Sequence, residues 1–322
     1  MNFISLAFVS LFVACSGPER GEAEFRPTAE EDRVPELFRL EADRYEYELE
    51  PLRTTPKYKV SALRFPSPIP SPDPVNNTVH AEYFQPEEDE GKRPAVVVLH
   101  ILGADFALSR FIAARLADNG VAALFVKLPY YGERRPEASA RFLSADIDRS
   151  VLAMRQGVCD IRRAVAWLAD RPEVDSEALG ITGISLGGIV GAVASAADPR
   201  LKNAALLLAG GGLADILWDM PEREARFYKQ QWIDSGRTKD DLKTLTQPFD
   251  PLTYADRLRG KRVLMIAGNT DEVIPPSATE SLWEAAGRPT IHWYDCGHYS
   301  AAGYLLPALR EVVAFFSGGR SD

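Results

Sequence analysis

The stretch Gly183-Ile184-Ser185-Leu186-Gly187 is the part of this 322-residue chain whose residue types and spacing point most directly to chemistry. The apolar residues 178–182 lead into it, and an Ala/Gly-rich run leads away to Asp198-Pro199. This reads as strand, sharp turn, helix. Glycine lets strand and helix approach closely at such a turn, which would hold Ser185 in a strained conformation with its hydroxyl above the sheet, as a nucleophile. A neutral hydroxyl attacks a carbonyl only with help from a base. His298, after the strand-like segment 290–296, is the candidate to take the serine proton and return one to the leaving group. Asp271, after the run 262–268, would fix the imidazole tautomer and stabilise the imidazolium, and Glu272 is the alternative acid. Each has a plainer reading: Asp271 could cap the turn before Pro275-Pro276, and His298 could be a structural histidine opening the last helix. The glycine-serine pattern alone matches by chance about 0.1 times in a chain of this length, so the elements around it must carry the argument.

Those elements alternate. Largely apolar runs at 94–100, 121–128, 179–184, 203–209 and 262–268 predict strands, 290–296 reads as the last strand, and the patterns at 106–118, 149–169, 277–286 and 301–316 predict helices between them. Such alternation implies an α/β fold with a parallel sheet covered on both faces, and reactive groups in these folds collect at the carboxyl ends of the strands. Ser185, Asp271 and His298 each follow a predicted strand. Upstream, 58–65 and 78–84 read as two edge strands joined by the proline-rich stretch 66–74.

The elbow, the order Ser185, Asp271, His298 and the loop His100-Ile101-Leu102-Gly103 after the first core strand resemble the α/β-hydrolase superfamily. The resemblance covers about residues 57–316 and is strongest to bacterial serine esterases of the dienelactone-hydrolase-like and prolyl-oligopeptidase-like branches. It implies a doubly wound, mostly parallel sheet and hydrolysis of a small-molecule carboxylic ester through an acyl-enzyme, with no cofactor. An oxyanion hole would take the Leu186 N–H and a second N–H from the 100–103 loop, with Leu102 the first candidate and Ile101 the second. Ile101 stands where the family has glycine, Ser185 where dienelactone hydrolases have cysteine, and His100 reads as a residue bracing the loop. Tyr130 and Tyr131 are expected to line the acyl site. Arg134 and Arg135 could meet an anionic substrate or form a turn with solvated side chains. Residues 210–258, with Trp218, Met220, Phe227, Tyr228, Trp232 and Phe249, could form a helical cap over the site or simply pack on the sheet. A peptidase or amidase using the same triad, or a binding protein that keeps the fold without the activity, are the competing readings.

Composition narrows the partners. The net charge is −9, which argues against nucleic acid as a partner. Twelve acidic residues and five arginines fall within 19–50, so the excess belongs to residues 19–56, read as a solvated acidic extension ahead of a catalytic domain at 57–322. Residues 1–18 carry no charge and resemble an export signal, with Leu11-Phe12-Val13-Ala14-Cys15 similar to a lipoprotein cleavage box. That resemblance implies an exported protein with Cys15 as a possible lipid tether to the membrane. Phe12 and the lack of a preceding Lys or Arg depart from the pattern. Cys159 and Cys296 suggest no disulfide framework, and no metal-ligand spacing links cysteines to histidines.

Overall fold

The computed structural model describes residues 17–87, 91–103, 106–144 and 147–318. Its sheet begins inside the acidic extension, with β1 (Glu19–Phe25) and β2 (Asp43–Thr54), followed by β3 (Tyr58–Pro66) and β4 (Thr78–Pro86). These four are antiparallel neighbours. The expectation of a solvated extension is therefore corrected: β1 and β2 alternate charged outward residues with Ala23, Phe25, Tyr45 and Tyr47, all buried. It follows that β3 and β4 are interior strands, because β1 and β2 lie outside them. Residues 1–16, Cys15 included, lie outside the described residues.

Six further strands run parallel: β5 (Arg93–Leu99), β6 (Ala122–Val126), β7 (Val174–Ile184), β8 (Asn203–Leu207), β9 (Arg262–Gly268) and β10 (Thr290–Tyr294). The sheet order is β1-β2-β3-β4-β6-β5-β7-β8-β9-β10. From β5 the chain steps to β6 on one side, then crosses to β7 on the other. The carboxyl ends of β5 and β7 thus flank the point where the winding reverses, which is where open α/β sheets form a crevice.

Two helical layers cover the sheet. Val96 and Val98 of β5 face α1 (Ala107–Asp118), while Ala95, Val97 and Leu99 face α2 (Ile147–Ala169) and α3 (Leu186–Ala197). The excursion between β8 and β9 holds α4 (Leu213–Asp219), α5 (Arg223–Asp234), α6 (Lys239–Thr246) and α7 (Pro251–Tyr254); α8 (Pro276–Ala285) and α9 (Leu305–Phe316) follow β9 and β10. Among the described residues no helix is long and apolar enough to cross a membrane.

Helix α2 anchors the amino-terminal strands. Trp167, fully buried, meets Tyr47 of β2 and Tyr83 of β4 edge-on, with centroids 5.8 and 5.2 Å away. Such pairs add about 0.5–1.5 kcal/mol beyond burial. Arg162 and Arg163 pair with Glu31 at 2.7 Å and Asp43 at 2.5 Å, so both buried guanidinium groups have carboxylate partners.

Candidate active site

The turn from β7 into α3 has little room. A Cβ on Gly183 would lie 2.5 Å from the Gly187 carbonyl oxygen, and one on Gly187 would lie 2.8 and 2.9 Å from the carbonyl oxygens of His100 and Leu99. Only glycine permits this approach. Between them Ser185 adopts φ 55° and ψ −116°, a region L-residues occupy only when their surroundings hold them there. Two backbone bonds do the holding: Ser185 N–H donates to Leu207 at 2.9 Å, and the Ser185 carbonyl accepts from Ile189 at 2.9 Å.

The half-buried serine hydroxyl lies 3.0 Å from His298 Nε2. On the other side of the ring, Nδ1 is 2.8 and 3.1 Å from the two carboxylate oxygens of Asp271. Asp271 is itself fixed, since its Oδ1 accepts the backbone N–H groups of Val273 at 2.9 Å and Ile274 at 2.7 Å. Those bonds leave Oδ2 directed at the imidazole. Residues from the ends of β7, β9 and β10 are thus joined in one line of hydrogen bonds. Because Asp271 is acceptor only when ionised, Nδ1 carries the proton and Nε2 is free to accept from the serine. Glu272 takes a different part: its Oε2 accepts the His298 backbone N–H at 2.9 Å, which orients the loop rather than the ring.

Leu186 opens α3, where the first N–H groups lack intrahelical partners. The 100–103 loop packs against the same helix start through the His100 and Leu99 carbonyls. Within it Leu102 is half exposed, and the wholly buried His100 joins two segments, with Nδ1 2.7 Å from the Ile101 carbonyl and Nε2 3.1 Å from Leu128 N.

Tyr130 and Tyr131 do not line an open acyl site. Tyr130 is 1% exposed and donates to Asp73 at 2.9 Å; Tyr131 is 3% exposed and donates to the Leu102 carbonyl at 2.7 Å. Against the expectation that they line the acyl site, both rings turn into the core. Arg134 is not solvated either: it is fully buried, 2.8 Å from Asp160, and donates to the carbonyls of Asn76 and Lys127. Burial raises the Asp160 carboxyl above its ordinary value against the opposing pull of Arg134. Cys159 and Cys296 are both free and buried.

A residue that the sequence reading passed over is Tyr299. Its ring stands edge-on to His298 with centroids 5.6 Å apart, and its hydroxyl donates to Glu222 in the β8–β9 excursion. That excursion is closed at its base by Asp250, which accepts from Gly212 N and Leu213 N at 2.9 and 2.7 Å. Among the described residues no group of three or more His, Cys, Asp or Glu side chains is placed to hold a metal ion.

Two family models match the chain: "Alpha/beta hydrolase domain containing 18" over residues 28–209, more than half its length, and "Prolyl oligopeptidase family" over 153–303, a stretch that includes Ser185, Asp271 and His298. Among solved structures, acetyl xylan esterase 1 from Thermoanaerobacterium sp. superposes with a TM-score of 0.66 at 21% identity, covering 85% of this chain and 88% of that one. An acetyl xylan esterase from Paenibacillus sp. R4 gives 0.69 at 19% identity, covering 84% and 88%. At these identities the likeness is one of fold. The uncharacterized protein Rv2627c of Mycobacterium tuberculosis is 27% identical over 213 residues, 64% of this chain and 50% of its own length. The chain thus spans about half the length of this curated relative.

Proposed function

The chain belongs to the α/β-hydrolase superfamily, within the family described as alpha/beta hydrolase domain containing 18, and from that premise we propose that it is a serine hydrolase cleaving carboxylic esters through an acyl-enzyme. The observation that carries this reading is the unbroken hydrogen-bonded line from Ser185 through His298 to Asp271. As the Ser185 oxygen attacks the ester carbonyl carbon, His298 Nε2 takes its proton and Asp271 stabilises the imidazolium. His298 then gives the proton to the departing alkoxide. A water, deprotonated by the same nitrogen, attacks the acyl group and frees the acid and Ser185. Backbone N–H groups at Leu186 and in the 100–103 loop stabilise the negative oxygen of each tetrahedral intermediate. The two acetyl xylan esterases that share the fold make acetate esters the first substrates to try.

The test is turnover of p-nitrophenyl acetate by the full chain and by Ser185→Ala, with mass spectrometry after fluorophosphonate treatment. Expected are an adduct on Ser185 and a loss of kcat of about 10⁴-fold or more in the variant. Equal turnover by the variant would overturn the reading. A second reading, amide or peptide hydrolysis by the same residues, draws on the prolyl oligopeptidase match. It predicts that a p-nitroanilide is turned over at a rate comparable to the ester.

A further inference from the structure

Two successive carbonyl groups of the 100–103 loop are held by buried side chains. Leu128 N–H can only donate, so His100 Nε2 accepts from it and Nδ1 carries the ring proton, which it donates to the Ile101 carbonyl. The Tyr131 hydroxyl donates to the next carbonyl, that of Leu102. The two rings are 4.2 Å apart at 62°, so both donors reach the loop from one side. Both keep their protonation states at neutral pH. Burial pushes the His100 pKa down to about 4 and that of the Tyr131 phenol well above its ordinary value.

Peptide geometry converts these two bonds into a statement about donors. In a planar trans peptide the C=O and N–H point in opposite directions, and no cis peptide occurs among the described residues. The Ile101 carbonyl shares its peptide unit with Leu102 N–H, and the Leu102 carbonyl shares its unit with Gly103 N–H. In an extended strand successive carbonyls would alternate. Here both turn toward the same pair of rings, and the chain bends at Leu102-Gly103. The two N–H groups therefore turn together to the opposite side, the arrangement by which consecutive amides form an anion-binding concavity. The same loop packs on the first turn of α3, one residue from Leu186 N–H.

Resting on the serine-hydrolase reading, we propose that Tyr131, together with His100, is a positioning residue that sets the oxyanion hole. Its clamp on the Leu102 carbonyl presents the N–H groups of Leu102 and Gly103, beside that of Leu186, to the negative oxygen of the tetrahedral intermediate. No contact between Tyr131 and substrate is involved. The clamp also explains why Ile101 can stand where glycine is usual: the loop's path is fixed by its carbonyls.

The test compares wild type, Tyr131→Phe and Leu102→Pro in the full chain, with p-nitrophenyl acetate as substrate and phenylboronic acid as a tetrahedral mimic whose oxygen would occupy the hole. Tyr131→Phe should lower kcat about 10-fold, and Leu102→Pro, which removes a proposed donor at a half-exposed site, about 100-fold. KM should stay within about two-fold, and boronate affinity should fall in step with kcat. Tyr83→Phe is the control: its equally buried hydroxyl donates to Glu173 at 2.8 Å, and kcat should stay at the wild-type value. Wild-type kcat and boronate affinity in folded Tyr131→Phe would overturn the proposal while leaving the hydrolase reading intact. If Tyr131→Phe does not fold, undiminished turnover by Leu102→Pro would do the same. No turnover and no Ser185 adduct in wild type would remove both.

Discussion

Ser185, His298 and Asp271 each depend on a bond made by someone else: Leu207 fixes the serine backbone, Glu272 the histidine backbone, and Val273 and Ile274 the aspartate. The three side chains are therefore held in place by backbone bonds from neighbouring segments. His100 shows what such orientation costs. Its pKa is about 4 in the folded chain, against about 6.5 when exposed. As pH falls through that window the unfolded chain takes up a proton that the folded one refuses. The His100 contribution is thus fully present above about pH 6.5 and is lost as pH falls toward 4, a change of about 3 kcal/mol. Urea unfolding at pH 7 and pH 4.5 should show a steeper loss of stability in wild type than in His100→Gln; equal losses would contradict this account.

At the scale of elements, the β7–α3 turn is the tightest joint in the molecule. Gly183→Ala would drive a methyl group into the Gly187 backbone, which has no flexible end to move aside. The variant should lose about 3 kcal/mol or more of stability and most of its reactivity toward fluorophosphonate, read by thermal melting and labelling rate. Much of this layer was legible in the sequence. Continuous apolar runs marked β5 to β9, and the two short residue types that follow β9 and β10 located Asp271 and His298, because strand ends are where such a sheet leaves side chains free. The direction of Tyr130 and Tyr131 was not legible. A ring after a strand can turn outward or into the core, and the choice rests on partners distant in sequence, Asp73 and Leu102. The amino-terminal strands were missed for another reason. The period-two alternation that places Ala23 and Phe25, then Tyr45 and Tyr47, on one face lies within a segment dense in charge, a composition shared with solvated extensions.

For the whole molecule, that missed alternation decides where the chain can be cut. Removing residues 1–56 would strip Phe25, Phe38, Tyr45 and Tyr47 from the core and leave Arg162 and Arg163 without Glu31 and Asp43. At about 1.5–3 kcal/mol for each buried side chain, the aromatic loss alone rivals the 5–15 kcal/mol that ordinarily separates folded from unfolded chains. The fragment 57–322 should be insoluble or molten; a well-folded, active 57–322 would refute the assignment of β1 and β2 to the core. The position of β1 has one more effect. Among the described residues it is the outermost strand at one end of the ten-stranded sheet, and an outermost strand edge is a template on which a second copy can add. Glu19, Arg20 and Glu22 face solvent along that edge, within the segment that holds most of the chain's surplus negative charge. Charged side chains of this kind are what blunt a strand edge against such addition, so the charge that belongs to no reaction step gives this edge a polar character.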